Sequence, residues 1–172
     1  MLLAANLNRP YFSCMPRRGR SSLSDQHVFF VTTTIRRHEP ILSSPKVLSG
    51  LRDILKTVVT KHQARLYGYV FMSNHIHLLV GVAKGGKELS AFMRELKSYS
   101  SRTLFPDRGS VWMDRFDDVA IYTEEQFRIK LNYIHNNPVK AGLIGSPEGY
   151  QYSSARAWLN GAKDDLVTTS VP

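Results

Sequence analysis

Two histidines lie two residues apart in the segment Asn-His-Ile-His-Leu-Leu-Val, which spans residues 74–80. The segment is apolar and typical of a β-strand, in which residues i and i+2 point to the same face of the sheet. We therefore expect His75 and His77 to project together, with Ile76 pointing the other way into a core. Two adjacent imidazoles on a rigid strand form half of a metal site, or they are simply two polar residues on the open face of a sheet.

The hydrophobic pattern of the chain alternates between the periods of strands and helices. Ser44 and Thr123 are predicted helix caps, Gly85-Gly86 is predicted to end a strand, and Pro138 is predicted to stop the last helix. The predicted strands are 27–35, 65–72, 75–82, 111–113 and 119–122, and the predicted helices run from 45 to about 62, over 89–99 and from 124 to 137. This order predicts an α+β fold, a ferredoxin-like βαββαβ antiparallel sheet with helices on one face plus a C-terminal catalytic helix.

The length of the chain suits one domain with a basic arm. We expect residues 1–26 to form a basic N-terminal arm, 27–160 the domain, and 161–172 a frayed C-terminal tail, with Met15 a second candidate start. The single cysteine, Cys14, excludes an intrachain disulfide and fits a reducing cytosol. Residues 1–7 are too short and lack the basic start of a signal peptide, and no apolar run approaches the roughly 20 residues of a membrane span.

Positive charge is concentrated in the first part of the chain. The formal net charge is +9, and residues 1–65 hold 11 Lys and Arg against 3 Asp and Glu. A basic half on a compact domain indicates a polyanionic partner, most often nucleic acid. The alternative is that the charge only keeps the protein soluble and its arm solvated.

A second motif, Tyr-Ile-His-Asn-Asn-Pro, occupies residues 133–138 near the end of the last predicted helix. Residues i and i+4 share a helix face, so Tyr133 and Asn137 lie one above the other. A tyrosine hydroxyl can act as a covalent nucleophile, and an amide oxygen can complete a metal shell begun by two imidazoles. An exposed tyrosine on a helix is also commonly a packing residue.

Together the two motifs fit metal-assisted cutting of single-stranded DNA. A metal ion would polarise the scissile phosphate, Tyr133 would attack phosphorus, and a 5′-phosphotyrosine link would conserve the bond for rejoining. Oxygen ligands favour Mg²⁺, whereas imidazole leans toward Mn²⁺ or Zn²⁺. Leu79 stands where the histidine-triad nucleotide hydrolases need a third histidine, which argues against that class.

The sequence resembles the REP-associated tyrosine transposases, a branch of the IS200-like Y1 transposases within the HUH endonuclease superfamily. The segments that carry the resemblance are 15–18, 68–80, 112–116 and 131–143. The resemblance implies a bacterial cytoplasmic, nucleoid-associated enzyme that cleaves single-stranded or hairpin DNA at short palindromic repeats, with Mg²⁺ or Mn²⁺ as cofactor.

The resemblance also implies roles for individual residues. His75, His77 and Asn137 would be metal ligands and Tyr133 the nucleophile. Insertion-sequence relatives often have glutamine in place of Asn137, so Asn136 or a water remains an alternative third ligand. A monomer acting in cis is favoured, and a dimer that exchanges tyrosines is the alternative. The predicted DNA-binding residues are Arg17, Arg18, Arg20, Lys97 and Arg115.

Two other function classes remain open at this stage. One is a non-catalytic module that binds hairpin DNA and derives from such an enzyme. The other is a metal-dependent phosphodiesterase acting on small nucleotides. Formation of a covalent protein–DNA adduct would distinguish the tyrosine transposase from both of these classes.

Overall fold

The computed structural model describes residues 27–172 of the chain. Their elements are β1 (His27–Thr34), α1 (Pro45–Lys61), β2 (Arg65–Phe71), β3 (His75–Val82), α2 (Gly85–Leu104), β4 (Asp117–Ile121), α3 (Glu124–Lys140) and α4 (Ala155–Asn160), with short 3₁₀ turns at Arg36–His38, Pro106–Arg108 and Pro147–Gly149. None of the helices between residues 27 and 172 is both long and apolar enough to cross a bilayer.

The four strands form one antiparallel sheet in the order β2-β3-β1-β4. This order, with α1 after β1 and α2 after β3, is the ferredoxin-like arrangement, so the predicted fold class is confirmed. The two long strands β1 and β3 lie at the centre, where each is paired on both sides. Strand β3 therefore carries the histidine pair in the middle of the sheet.

The sheet buries both of its faces. On one face α1 and α2 cover inward residues of β1 and β3 such as Phe29 and Leu78, as predicted for helices on one face. On the other face α3 packs through Phe127, Leu131 and Ile134. Helix α3 approaches closely because Gly68 has no side chain: a Cβ there would lie 2.7 Å from Leu131.

The predicted end of α3 at Pro138 is wrong. The helix continues through Pro138 to Lys140, because a proline's fixed φ suits a helix and its missing N–H leaves only the carbonyl of Ile134 without its usual partner. The C-terminus of α3 is capped by two backbone hydrogen bonds. Ala141 N–H donates to the Asn137 carbonyl, and Leu143 N–H donates to the Pro138 carbonyl.

Two further expectations differ from the structure in detail. Gly85-Gly86 opens α2, and Gly85 adopts the left-handed φ of 62° that starts the turn. The segment 111–113 is not a strand; Trp112 makes a single antiparallel bridge with Ile35.

The segment 161–172, predicted to fray, is docked on the domain. Leu166 is buried, and Thr168 N–H donates to the Leu66 carbonyl over 2.8 Å. Arg52 on α1 forms ion pairs with Asp164 and Asp165. The sequence did not predict this docking, because a short acidic segment is expected to be solvent-exposed unless its cationic partners on α1 are known.

Candidate active site

The side chains of His75 and His77 lie on the α3 side of the sheet. Their ring centroids are 4.8 Å apart, and Ile76 between them is fully buried in the opposite core. The spacing in the sequence thus predicted the shared face correctly. In register, His77 pairs with Thr32 and His75 with Thr34 on the neighbouring β1.

His77 is almost completely buried, and only one of its two ring nitrogens has a hydrogen-bond partner within residues 27–172. Its Nδ1 is 2.8 Å from the Thr32 hydroxyl, whereas its buried Nε2 has no hydrogen-bond partner among residues 27–172. Burial lowers the pKa of His77 to about 3, and the nearby His75 and Lys130 add to the shift. The imidazole is therefore neutral at physiological pH, the state in which a ring nitrogen can bind a metal.

The His75 side chain is more exposed than that of His77, but its Nδ1 also has a side-chain partner. Its Nδ1 lies 2.7 Å from the Asn74 side-chain oxygen, which can only accept a hydrogen bond, so the proton resides on Nδ1 and the Nε2 lone pair is left available. Burial, then the neighbouring His38, lowers the pKa of His75. Such a partner on the far nitrogen is what normally orients a metal-binding histidine.

Helix α3 brings Tyr133 to the histidine pair. The centroid of its ring is 5.3 Å from that of His77 and 5.7 Å from that of Phe30, edge-on in both cases. The Lys140 ammonium lies 5.4 Å from the centroid of the same ring. Tyr133, His75 and His77 line one cavity of about 530 Å³, together with Thr32 and Asp117.

Asn137 is placed differently from the other three predicted site residues. Its side-chain amide donates to the Tyr133 carbonyl over 3.1 Å, and Asn137 is not part of the wall of that cavity. Asn136 behaves similarly and donates to the Asn132 carbonyl over 2.9 Å. In each case the amide nitrogen is used within the helix, and the carbonyl oxygen is the atom that could serve as a ligand.

The residues present fit a divalent cation. Two neutral imidazoles face one cavity, and the buried Nε2 of His77 has no other partner within the described residues. In residues 27–172 no cluster of three or more His, Cys, Asp and Glu side chains could hold the ion alone. An ion held by the two histidines would take its other ligands from an amide oxygen, water or substrate phosphate, a donor set closer to that of Mg²⁺ or Mn²⁺ than to a closed zinc site.

The predicted DNA-binding residues are dispersed. Arg17, Arg18 and Arg20 lie outside the described residues. The Lys97 ammonium donates to the carbonyls of Met113 and Asp114, which ties α2 to the segment before β4, and burial lowers the pKa of Lys97. Arg115 is exposed on that same segment.

The sequence did not single out Thr32, Phe30 or Lys130. Phe30 stacks on His77 with a centroid distance of 5.4 Å, and the Lys130 ammonium lies 4.8 Å above the Phe30 ring. Lys130 could have been predicted to lie near the site, because it is three residues before Tyr133 and therefore on the same face of α3. Thr32 becomes visible only once the register between β1 and β3 is known.

Comparisons with known proteins agree with one another. The family model described as "Transposase IS200 like" matches residues 22–137. The REP-associated tyrosine transposase of Escherichia coli (strain K12) is 23% identical over 126 residues, which cover 73% of this chain and 74% of that protein. A solved structure of a REP-associated tyrosine transposase bound to a REP hairpin is similar in fold, with a TM-score of 0.70 and 19% identity, over 86% of this chain and 94% of the other.

Proposed function

The chain belongs to the IS200-like transposase family, and from that premise we propose that it cleaves and rejoins single-stranded DNA at hairpin-forming palindromes. Tyr133 is the proposed nucleophile, and His75 and His77 are proposed to hold a Mg²⁺ or Mn²⁺ ion. The observation that carries the proposal is that Tyr133 lies against His77, whose buried Nε2 has no partner in the described part of the chain.

In the proposed reaction the Tyr133 oxygen attacks the scissile phosphorus as the phenolic proton passes to water. The bond from phosphorus to the DNA 3′-oxygen breaks, that oxygen takes up a proton, and the 5′-phosphate remains esterified to Tyr133. Attack on this link by another DNA 3′-hydroxyl reverses the chemistry and joins two strands. A bound divalent cation would polarise the phosphate and neutralise charge on its oxygens.

The chain's own residues prepare this step in three ways. Thr32 and Asn74 contact Nδ1 of His77 and of His75, which orients each imidazole and leaves its Nε2 available. Phe30 packs against both His77 and Tyr133 and fixes the distance between strand and helix. The Lys140 ammonium lies over the Tyr133 ring and holds it by a cation–π contact.

The same geometry supports a monomer acting in cis. Tyr133 and His77 of one chain are already in contact, so no partner chain is needed to bring the nucleophile to the metal ligands. We propose that the protein acts in this way in the bacterial cytoplasm, where hairpin DNA of the chromosome is its substrate.

Adduct formation tests the proposal. A hairpin oligonucleotide with single-stranded flanks, taken from palindromes beside the gene, is incubated with protein and Mn²⁺ and separated under denaturing conditions. Wild type and Tyr122→Phe, which alters an exposed tyrosine outside the cavity, should form the adduct. Tyr133→Phe and EDTA-treated protein should not. Equal adduct with Tyr133→Phe would overturn the proposal.

A second candidate is a hairpin-binding module without catalysis. The placement of Asn137 favours it, because that side chain is hydrogen-bonded to its own helix and is absent from the cavity wall. Such a module would bind hairpin DNA equally well in EDTA and with Tyr133→Phe, and no protein–DNA adduct would form on any substrate.

A further inference from the structure

His135 is a buried polar residue that the proposed chemistry does not use. It lies two positions after Tyr133 on α3, and its relative exposure is only 2%. Its Nε2 is 2.9 Å from the hydroxyl of Ser154, which is itself completely buried. Burying polar side chains costs free energy that a well-aligned hydrogen bond offsets, so the pair has one favoured geometry.

Ser154 is held by the backbone of β2. Its N–H donates to the Tyr69 carbonyl over 3.0 Å, and its hydroxyl accepts from the Tyr69 N–H, also over 3.0 Å. Next to it, Ser153 forms an antiparallel bridge with Val70. The segment 152–154 thus continues the sheet beyond its edge strand β2, and Ser154 is fixed relative to that strand.

The row of the sheet that anchors this segment also contains His77. Val70 pairs with Ser153 on one side and with His77 on the other. Residues directly opposite each other in antiparallel strands keep Cα separations of about 4.5–5.5 Å. The hydrogen-bond partner of His135 is therefore tied to the proposed metal ligand His77 through backbone pairing, along a path that does not include α3.

Tyr133 and His135 project from opposite flanks of α3. Successive residues of an α-helix are rotated by about 100°, so these two side chains point about 200° apart. The apolar residues of α3 that face the sheet lie between them: Phe127, Leu131 and Ile134. One flank of the helix accordingly contacts His77 through Tyr133, and the other contacts Ser154 through His135.

A directional contact on the second flank limits rotation of α3 about its own axis. The apolar contacts under the helix are non-directional, whereas a hydrogen bond restricts both distance and angle. A rotation of about 10° would move a side-chain tip that lies about 6 Å from the helix axis by about 1 Å. A displacement of about 1 Å at a reacting group can cost about 100-fold in rate.

We propose that His135 is a positioning residue, whose hydrogen bond to Ser154 sets the rotation of α3 and thereby holds Tyr133 against His77. The inference rests on the proposed function in taking Tyr133 as the nucleophile. It adds that the nucleophile is oriented from the flank of its helix that faces away from the histidine pair.

Variants of the pair test the inference. His135→Leu and Ser154→Ala each remove the hydrogen bond, the double variant removes both partners, and His135→Gln keeps an amide that can bond to Ser154. The matched control is Trp158→Phe, which removes another hydrogen bond to β2, from the indole to the Tyr67 carbonyl, near Phe127 at the start of α3. Thermal melting reports the destabilisation of each variant, and all assays are run well below the lowest melting temperature.

Two quantities are measured on these proteins. The first is the nuclear Overhauser effect between the ring protons of Tyr133 and His77 in metal-free protein, which reports their contact without requiring activity. The second is the rate of adduct formation at saturating hairpin DNA and saturating Mn²⁺. Hairpin affinity is measured separately by anisotropy in EDTA.

We expect His135→Leu and Ser154→Ala to weaken the Overhauser effect and to slow adduct formation by about tenfold or more. Hairpin affinity should change by less than about twofold, since phosphate contacts supply it. The double variant should be no slower than the slower single variant, because both changes remove one bond. His135→Gln should recover most of the rate. Trp158→Phe should lower the melting temperature and leave both quantities unchanged.

Three results would overturn the inference: an Overhauser effect or a rate that both single variants leave unchanged, equal slowing by Trp158→Phe, or slowing that multiplies in the double variant. Failure of the proposed function gives a different pattern. If wild type forms no adduct, the Overhauser effect alone decides whether His135 positions Tyr133. If wild type and His135→Leu form the adduct at the same rate, the chemistry stands and the positioning role is removed.

Discussion

Tyr133 on helix α3 and His77 on strand β3 of the same chain are in direct contact, with ring centroids 5.3 Å apart. The two residues are 56 positions apart in the sequence and meet because α3 packs on the sheet face that the histidine pair occupies. The nucleophile and the metal ligands of the proposed reaction are thus preassembled by the core, and the following predictions test what each part contributes.

Loss of one imidazole should separate cleavage from binding. We expect His75→Ala to reduce adduct formation by about 100-fold or more, because removing a ligand costs at least as much as removing its hydrogen-bond partner. Affinity for the hairpin in EDTA should stay within about twofold of wild type, since backbone contacts that do not pass through the metal supply it. Adduct yield on denaturing gels and anisotropy measure the two quantities. A parallel loss of both would contradict the assignment of His75.

The Thr32 hydroxyl should matter for metal affinity through His77. Thr32→Val removes the partner of Nδ1, and we expect the affinity for Mn²⁺, measured by electron paramagnetic resonance, to fall about 10- to 100-fold. The neighbouring Thr33→Val is a matched control. The Thr33 hydroxyl is buried on the opposite face without a partner among the described residues, so its removal should leave Mn²⁺ affinity unchanged and be neutral or stabilising for the fold. Equal effects of the two variants would refute the role of Thr32.

The third protein ligand can be identified by comparing two adjacent amides. If the Asn137 oxygen completes the shell, Asn137→Ala should weaken Mn²⁺ binding by about tenfold or more, whereas Asn136→Ala should not. Both variants lose a side-chain hydrogen bond to a carbonyl four residues earlier, so their effects on helix stability should be matched. Identical Mn²⁺ affinities in both variants and wild type would leave water or the phosphate as the third ligand.

Acid should destabilise the protein through its buried histidines. Burial lowers the pKa of His77 to about 3 and that of His135, whose Nε2 is 2.9 Å from the Ser154 hydroxyl, to about 4. Below pH 6.5 the unfolded chain takes up protons at these sites and the folded chain does not, so the free energy of unfolding decreases as pH falls toward those values. The decrease is at most about 1.4 kcal/mol per pH unit for each histidine.

Urea unfolding of metal-free protein between pH 7 and 5 measures this dependence. His135→Gln should flatten it by the contribution of one histidine, up to about 2 kcal/mol over that range. A wild-type stability that does not change between pH 7 and 5 would contradict the burial of neutral imidazoles.

The sequence predicted most of the fold because its signals are local. The alternation in β1 and β3 and the 3.6-residue period of α1 and α2 place their core faces directly, and Ser44 and Thr123 accept the cap hydrogen bonds expected of them. Pro138 misled because its local cost, a lost hydrogen bond and crowding against the carbonyl four residues earlier, is offset by packing that no local pattern reveals: Pro138 is buried in the described structure. The docking of 161–172 depends on ion pairs with Arg52 on α1, which no local pattern reveals.

The candidate site likewise contains residues that local sequence patterns predict and residues that only the tertiary structure reveals. His75 and His77 were predictable from strand alternation, and Tyr133 from its motif. The roles of Thr32 and Phe30 depend on the register between β1 and β3, which is a tertiary feature. The Asn137 side chain donates to the Tyr133 carbonyl of its own helix, a contact that periodicity does not predict.

Mass spectrometry of the trapped adduct tests the central claim most directly. The adduct formed by wild-type protein with Mn²⁺ and a flanked hairpin is digested with nuclease and protease, and the peptide carrying the residual nucleotide is sequenced. The account predicts a 5′-phosphonucleotide on Tyr133 and on no other residue. A modified residue other than Tyr133, or cleaved DNA whose 5′-phosphate is free while no peptide is modified, would contradict it.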